Sequence, residues 1–354
     1  MKAGQRTVYV TLELKKDPPV MFVDQVESQP SMRSVVHDRY GPASKLWIKS
    51  IPHPICGPDE VLVAVRCVSV NPYDWHNMTG TPLPVRMSGG FRRPKESRLG
   101  VDVSGVVESI GANVRRFKVG DEVFGFADGC FAEFVCAKES ELMSKPENVS
   151  FEDAAAVPVA ALTAIHGLVT NANLGAGEHV LINGASGGVG TFAVQVAKDL
   201  GAKVTAVCGP TNGAMVADLG ADQVIDYSKE DFTQNRDSYD VILDNVGNRR
   251  IRNYKRCLKP NGRYIVVSGP KGKILGPIGH MLKAMIGFKF GAQKAMVFMA
   301  QRTPKELEVI VDMLGSGRIK PVIERVFQFD EIAAALDHIE TGRTRGKLVV
   351  TMTK

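Results

Sequence analysis

The arrangement of apolar and polar residues differs between the first and second parts of the chain. From Met32 to about Val157, short apolar stretches are separated by Gly, Pro and Asn, and Val61, Val63 and Val65 recur with a period of two. This period is typical of a half-buried β-strand. Further predicted strands are Val101–Ile110, Glu122–Phe126 and Phe131–Ala137. Strands spaced this closely predict a small barrel or an open sandwich.

Beyond this part, predicted helices and strands alternate, which is typical of a parallel sheet with helices on both faces. The predicted helices are Ala154 to about Asn171, the segment that begins at the Gly-rich turn before Val189, Asn212–Leu219, Arg249–Leu258 and Thr303–Leu314. The predicted strands are Val180–Ile182, Lys203–Cys208, Gln223–Asp226, Asp240–Asn245 and Arg263–Ser268, and residues 323–353 add short strands and one more helix. We therefore predict an α/β protein with an extension at 1–31, a β-rich domain at 32–157 plus 303–354, and a doubly wound parallel-sheet domain at 158–302.

The stretch from Val180 to Gly190 carries the clearest functional signal. Three apolar residues lead into a cluster of glycines, which opens a helical pattern. A strand, turn and helix of this kind hold a pyrophosphate, because backbone N–H groups at the helix N-terminus point at the anion. Ala185 stands where the usual G-x-G-x-x-G has its first Gly, which makes Gly184 the candidate for the tight turn. The predicted nucleotide-binding residues of this turn are Gly184, Ser186, Gly187, Gly188, Val189 and Gly190.

Two other interpretations of this turn stay open. One is a Gly-rich turn that binds nothing. The other is the G-x-S-x-G elbow of a hydrolase, with Ser186 as nucleophile and His280 or His338 as its base. An elbow has no need of Gly190, so the pattern favours the nucleotide.

The residues after the second predicted strand bear on the choice of nucleotide. NAD-binding sites of this type place an Asp or Glu about 20 residues past the first Gly, on the ribose 2′-hydroxyl. No acidic residue lies between Asp199 and Asp218. A carboxylate that would repel a 2′-phosphate is therefore missing, which favours NADPH over NADH. Candidate contacts are Lys203, Thr211 and Tyr227.

Composition and charge exclude several classes of protein. The chain has 354 residues, 44% of them hydrophobic and 23% charged, with a net charge of +6 from scattered Lys and Arg. These values are typical of a globular protein and disfavour nucleic acid as the main partner. No apolar stretch is long enough to span a bilayer, so no membrane contact is expected. Acidic residues in the first 31 positions argue against a mitochondrial presequence. The six cysteines form no C-x-x-C and predict reduced core residues in the cytoplasm.

Four segments together resemble the medium-chain dehydrogenase/reductase superfamily. They are Val70–Asp74, similar to its N-P-x-D segment; Gly100–Val107 with Gly111 and Val119–Val123, similar to its domain signature; Ala155–Pro158 with Leu162–Ala164, similar to its inter-domain helix; and Gly346–Val350, similar to its G-K-x-V strand. The resemblance covers about residues 32–354. It implies a GroES-like barrel, a Rossmann domain and an oxidoreductase.

The residues that are missing indicate a branch of this superfamily. Its zinc alcohol dehydrogenases have a Cys where this chain has Asn71 or Pro72, and a His-Glu pair where it has Val101-Asp102. Cys67, His76 and Asp102 do not follow a known zinc spacing. The chain therefore resembles the zinc-free quinone and enone reductases, including zeta-crystallin-like and reticulon-interacting oxidoreductases. The similarity to the last of these is greatest at Val204–Cys208, Val224–Tyr227 and Leu243–Gly247.

The resemblance also implies roles for single residues. Without a metal, hydride must go to an acceptor that is already electrophilic, such as a quinone or an α,β-unsaturated carbonyl. Asn71, Tyr73 and His76 are the candidate catalytic hydrogen-bond or proton donors, and Trp75 is a further donor in the same segment. Asn71 and Asp74 have an alternative, purely structural role that fixes the loop, and this role is favoured for Asp74. Cofactor contacts are implied for Thr163, Asn245, Gly247, Ser268 and Lys347. Asp244 and Asn245 have an alternative role as an Asx turn that ends a strand.

Two alternatives concern the whole protein. The strand at Ala295–Met299 either pairs across a homodimer, as in relatives, or is an internal edge strand. The main prediction for function is a zinc-independent NADPH-dependent quinone or enone reductase. The alternatives are a dinucleotide-binding protein with little turnover and a structural or interaction role, and alcohol or aldehyde dehydrogenase activity.

Overall fold

The computed structural model describes residues 30–270, 272 and 274–352, so the extension predicted at 1–31 lies almost wholly outside the described residues. The α/β class is confirmed. The strands are β1 (Ser31–Val36), β2 (Trp47–Pro52), β3 (Glu60–Val70), β4 (Asp102–Ile110), β5 (Glu122–Phe126), β6 (Phe134–Lys138), β7 (Leu142–Ser144), β8 (His179–Asn183), β9 (Lys203–Cys208), β10 (Gln223–Asp226), β11 (Tyr239–Asp244), β12 (Leu258–Val266), β13 (Lys294–Val297), β14 (Ile323–Gln328) and β15 (Lys347–Thr351). The α-helices are α1 (Pro72–Thr79), α2 (Val85–Gly89), α3 (Phe151–Ala156), α4 (Pro158–Ile165), α5 (Gly188–Asp199), α6 (Gly213–Asp218), α7 (Ile251–Cys257), α8 (Gly276–Gly287), α9 (Pro304–Gly315) and α10 (Ile332–Glu340).

The first large sheet is the β-rich part of the molecule. Its strand order is β14-β15-β3-β4-β5-β7, and β6 pairs with β3 outside this path. All pairs are antiparallel except the parallel pair of β14 with β15. In β3 the predicted alternation holds at Val61, Val63 and Val65, which are buried, while Cys67 to Val70 are buried without alternation. The continuous burial marks the place where other elements cover both faces of the strand.

The second large sheet is parallel, with strand order β10-β9-β8-β11-β12-β13. This is the order of a doubly wound dinucleotide-binding fold, in which the two central strands diverge at a switch point. Val180 and Ile182 of β8 pack in a core with α4, α5 and α9, whereas Leu181 packs in the opposite core with α7 and α8. Burial of both faces of β8 explains why its sequence is an uninterrupted apolar stretch.

Local differences from the predicted elements have simple causes. The helix predicted from Ala154 to Asn171 is divided at Pro158, which begins α4 because proline suits the first turn of a helix. A π-helical turn, His166–Asn171, follows α4. Thr303 occupies the N-cap position of α9, but its hydroxyl makes no capping bond. β13 is the edge strand of the parallel sheet and pairs with β12. No helix in the described part of the chain is long and apolar enough to cross a membrane.

The prediction that all six cysteines are reduced is wrong for two of them. Cys56 and Cys136 form a disulfide across 80 positions of sequence, while Cys67, Cys130, Cys208 and Cys257 are free and buried. Sequence spacing gave no sign of this pair, because the loop after β2 and strand β6 meet only in the folded barrel. The bond ties that loop to the sheet.

Reduction of this disulfide is expected to lower the free energy of unfolding by about 2–4 kcal/mol, because the bond restricts a long loop of the unfolded chain. The measurement is urea unfolding with and without dithiothreitol. The Cys56→Ser/Cys136→Ser double variant is the control, and its unfolding must not respond to reductant. A wild-type curve that is equally insensitive would contradict the prediction.

Candidate functional site

The glycine turn joins β8 to α5 at the switch point of the parallel sheet. Gly184 has a φ of 77°, a conformation that favours glycine, so the tight turn is at Gly184 despite Ala185 at the usual position. A Cβ on Gly190 would lie 2.2 Å from the Gly184 carbonyl oxygen, so the helix approaches the strand more closely than any side chain allows. The first helical bond runs from Thr191 N–H to the Gly187 carbonyl, so the N–H groups of 188–190 have no acceptor within the helix and are the candidates for binding an anion.

Space in front of the turn is left open at Gly187. A Cβ built there would have the Gly184 carbonyl oxygen at 3.6 Å as its nearest neighbour, and its φ is −83°. The fold therefore tolerates a side chain at this position. Because Gly187 has no side chain, there is room for a ligand beside the helix N-terminus.

The hydrolase interpretation fails on geometry. The Ser186 hydroxyl accepts a hydrogen bond from Asn212 Nδ2 at 3.2 Å. His280 is buried beside Tyr264 with Nε2 at 2.7 Å from its hydroxyl, and His338 lies 3.2 Å from Glu324 in another part of the fold. Neither histidine contacts Ser186 among the described residues, so no general base is in place.

Thr211 and Tyr227 lie at the carboxyl edge of the sheet, near the turn. Both are exposed, and a Cβ on Gly209 would lie 3.2 Å from the Tyr227 hydroxyl. The expectation for Lys203 is wrong, because this residue begins β9 and so lies at the amino end of the strand, about 17 Å from the carboxyl edge. Sequence reasoning also missed Asp226, which pairs in register with Cys208; its carboxylate accepts bonds from the N–H and hydroxyl of Ser228.

The loop after β11 closes the other side of the turn. A Cβ on Gly184 would lie 2.8 Å from Val246, and Asn245 Nδ2 donates to the Asn183 carbonyl at 3.1 Å. Asp244 Oδ1 accepts the N–H groups of Val246 and Gly247 at 3.1 and 2.9 Å. The Asx-turn alternative is therefore confirmed for Asp244, which shapes the loop.

A buried cluster supports Asp244 from below. Its Oδ1 accepts Asn183 Nδ2 at 2.8 Å and its Oδ2 accepts the Tyr264 hydroxyl at 2.5 Å. Burial raises the pKa of Asp244, but the nearby His280 ring and the hydrogen bonds from the Gly247 N–H and the Tyr264 hydroxyl outweigh burial and hold the pKa below its usual range. Asp244 is thus a buried anion that holds the loop in one shape. The Ser268 N–H donates to the Asp244 carbonyl, which brings Ser268 to the same edge of the sheet.

The start of β15, at Gly346 and Lys347, connects the glycine turn of the parallel sheet to the β-rich part. The N–H of Gly346 donates to the Ser186 carbonyl at 2.8 Å, so the start of β15 runs along the glycine turn. Lys347 is 3% exposed, and its Nζ lies 2.6 Å from Asn71 Oδ1 and 3.3 Å from Asp102 Oδ2. The N-P-x-D segment is thereby fixed beside the predicted nucleotide site.

Asp102 is the centre of this contact and is wholly buried. Its donors are the Ser69 hydroxyl at 2.6 Å, Asn71 Nδ2 at 2.9 Å, the Val159 N–H at 3.0 Å and Lys347 Nζ at 3.3 Å. Removing one partner of a buried ion pair costs about 3–5 kcal/mol, because the remaining charge is left in an apolar surrounding. Asp102 and Lys347 therefore hold β15 against the start of β4, and the Val159 N–H attaches α4 to the same carboxylate.

The three predicted catalytic residues occupy different surroundings. Asn71 is buried and both ends of its amide are already hydrogen-bonded, to Asp102 and Lys347. His76 Nδ1 is engaged by the Thr81 carbonyl, in the turn that ends α1. Tyr73 is 50% exposed and lines a cavity of about 360 Å³ with Tyr40, Arg98 and Asp128, among others. Of the three, Asn71 is buried, His76 is half-buried and Tyr73 is exposed.

Thr163 lies on α4, which packs against α5 behind the turn. Its hydroxyl donates to the Val159 carbonyl at 2.7 Å, one turn earlier in the same helix. Val159 N–H is itself a donor to Asp102, so Thr163 is one helical turn from the buried ion pair.

Two family models match the chain. Residues 57–147 match the alcohol dehydrogenase GroES-like domain, and residues 219–350 match a family described as zinc-binding dehydrogenase. The GroES-like assignment of the β-rich part is thereby confirmed.

Individual proteins are similar over almost the whole chain. The mitochondrial NAD(P)H oxidoreductase RTN4IP1 of Homo sapiens is 36% identical, covering 91% of this chain and 89% of that protein. The 2-methylene-furan-3-one reductase of Solanum lycopersicum is 31% identical, covering 90% and 79%. Among solved structures, the quinone oxidoreductase from Coxiella burnetii is 29% identical, with a TM-score of 0.80 and coverage of 92% and 100%.

A Gly187→Ala variant separates binding from folding. The fold has room for this Cβ, so we expect an unchanged melting temperature, but NADPH affinity should fall at least about tenfold because the methyl group occupies the space of the pyrophosphate. Equilibrium titration of nucleotide fluorescence measures the affinity. Gly175→Ala, with its nearest atom at 3.7 Å in the loop before β8, is the matched control. Unchanged affinity in Gly187→Ala would show that the turn binds no pyrophosphate.

Asp74 gives a prediction for pH. Its Oδ2 accepts the Asn71 N–H at 2.8 Å, whereas its buried Oδ1 has no hydrogen-bond partner among the described residues. Burial raises the pKa of Asp74 to about 7. A raised carboxyl pKa means that this group favours the fold at low pH and that the contribution is lost as pH rises through 7.

The Asp74→Asn variant should therefore lose less stability than wild type between pH 5 and pH 8, by about 2–4 kcal/mol. Thermal or urea unfolding at several pH values measures the difference. The exposed Asp337→Asn serves as control and should follow the wild-type profile. Parallel profiles for Asp74→Asn and wild type would refute a raised pKa at this position.

Proposed function

Since this chain belongs to the medium-chain dehydrogenase/reductase superfamily, we propose that it is an NAD(P)H oxidoreductase that transfers hydride to quinones or α,β-unsaturated carbonyls without zinc. The observation that carries the proposal is the Lys347 junction. It holds the glycine turn, where the pyrophosphate binds, against the N-P-x-D segment and the adjoining cavity. A nucleotide bound at the glycine turn and an acceptor bound in the cavity would then lie on opposite sides of Gly346 and Lys347.

The zinc-free part of the proposal rests on what occupies the family's ligand positions. Asn71 and Asp102 are hydrogen-bonded to each other and to the Lys347 ammonium, so a cation already balances this carboxylate. Among the described residues, the one group of three metal-binding side chains within reach of each other is Cys56, Glu60 and Cys136. Its two sulfurs are bonded to each other. These residues do not fit a catalytic zinc site, which needs about three converging free ligands.

The acceptor is inferred from this chemistry. A bound nicotinamide would supply the hydride, and the acceptor must be electrophilic without help from a metal. Charge then develops on the acceptor's carbonyl oxygen, where a hydrogen-bond donor stabilises it. We assign this role to Tyr73, whose side chain lines the cavity, and give Asn71 and His76 positioning roles because their polar atoms are engaged within the protein. The relatives named for enone and quinone reduction support the same acceptor class.

We propose NADPH as the preferred cofactor. β9 ends without a carboxylate, Thr211 and Tyr227 offer hydroxyls near the turn, and Asp226 is already held by Ser228. The loop residues Asn245 and Gly247, with Ser268 and Thr163, would border the nicotinamide ribose. Lys347 would act indirectly, since its ammonium is committed to Asn71 and Asp102.

Assembly and location complete the proposal. The free edge of β13 supports a homodimer that extends the parallel sheet. The cytoplasm stays the predicted location. The disulfide weakens the argument that reduced cysteines indicate the cytoplasm. Two of the relatives are named as mitochondrial or chloroplastic proteins.

The test is oxidation of NADPH or NADH by the purified protein with ortho- and para-quinones, enones and aldehydes, each with and without a chelator. We expect turnover of quinones or enones with NADPH that the chelator does not change, and a Tyr227→Phe variant with a raised KM for NADPH but not for NADH. Chelator-sensitive turnover of aldehydes would overturn the zinc-free assignment. Tight NADPH binding without turnover of any acceptor would indicate a binding protein instead.

A further inference from the structure

The second part of the chain contains a long segment without acidic residues. Between Asp244 and Glu306 there are 14 Lys and Arg and no Asp or Glu. The whole chain has 44 basic and 38 acidic residues, so everything outside this segment is net negative. The positive charge of the protein is therefore concentrated in the segment that contains α7, β12, α8 and β13.

Helix α8 presents an apolar face to solvent in the middle of this segment. His280 and Ala284 lie on its inner face and are buried, together with Phe288 just after it. On the outer side, Leu282 is 49% exposed, Met285 57% and Ile286 73%. Leu275 and Phe290, at the two ends of the helix, are 50% and 77% exposed. We call these five exposed residues the α8 face.

Basic side chains border the α8 face. Lys283, Lys289 and Lys294 are exposed and have no ion-pair partner among the described residues. Other cations of the segment are neutralised elsewhere: Lys259 by Asp240, Arg263 by Glu178 and Arg302 by Asp128. An apolar face bordered by unpaired lysines is complementary to a surface that is apolar inside and anionic outside.

We propose that the α8 face docks on an anionic lipid bilayer. Twelve residues of helix span about 18 Å, enough to lie in the interface with the apolar side chains among the acyl chains and the lysines at the headgroups. The expectation of no membrane contact rested on the lack of a spanning segment, which an interfacial helix does not need. Gly276 lies next to Pro82 of the β-rich part, where a Cβ would be 3.4 Å away, so the face begins beside the loop that follows α1.

A second copy of the chain is a poorer occupant of this face. A two-fold contact places the same surface on both subunits, so the unpaired lysines of one copy would meet those of the other. Charge thus separates docking on lipid from self-association.

Vesicle co-sedimentation tests the proposal with the full chain. We expect binding to phosphatidylcholine vesicles that contain phosphatidylglycerol, weak binding to phosphatidylcholine alone, and weakening as salt rises. Ile286→Glu should reduce binding about tenfold or more, because it removes apolar contact and adds a repelled charge. Ile55→Glu is the matched control: Ile55 is 83% exposed but lies in the β-rich part, and its variant should bind like wild type.

Three results would overturn the proposal: no binding to anionic vesicles, equal binding of Ile286→Glu and wild type, or equal loss in both variants. Sedimentation velocity of Ile286→Glu adds a fourth. A change from dimer to monomer without an effect on vesicle binding would assign the face to a second copy. The readout is binding alone, so it does not depend on whether the proposed reductase activity is found.

Discussion

The buried ion pair of Lys347 and Asp102 is the constraint on which the rest of the site depends. It joins three distant parts of the sequence: the N-P-x-D segment, the start of β4 and the last strand. The hydrogen bond from the Gly346 N–H to the Ser186 carbonyl then attaches the glycine turn of the parallel sheet. A charge pair without exposure to water is stable only when its remaining hydrogen-bonding capacity is filled, and Ser69, Asn71 and Val159 fill that of Asp102.

The same principle operates a second time at Asp244. Here a buried carboxylate has no ion pair as close as the first, and backbone N–H groups and the Tyr264 hydroxyl satisfy it instead. One carboxylate holds β15 against the start of β4 and the other fixes the loop beside the glycine turn. The start of β15 and the loop after β11 both lie beside the proposed cofactor site, and each is held by a buried carboxylate.

The contact of Lys347 with Asn71 and Asp102 can be compared with the zinc sites of related enzymes. The resemblance implies that the zinc ligands of related enzymes correspond to Asn71 or Pro72 and to Val101-Asp102, and here Asn71 and Asp102 share a lysine ammonium. A side-chain cation supplies positive charge and a fixed geometry, but it offers no open coordination position to an acceptor. In the proposed zinc-free reaction the substrate would have to be electrophilic by itself, which links this buried pair to the proposed quinones and enones.

The sequence by itself determined the fold class, the order of most elements and the glycine turn. These features depend on local patterns: a period of two in β3, an uninterrupted apolar stretch in β8 and a Gly cluster before α5. Tertiary structure alone decided that Asn71 is buried between Lys347 and Asp102 and that Cys56 is bonded to Cys136. It also decided that one face of α8 stays exposed. Each of these depends on which distant segments meet, and local periodicity carries no information about partners that are 80 or more residues away.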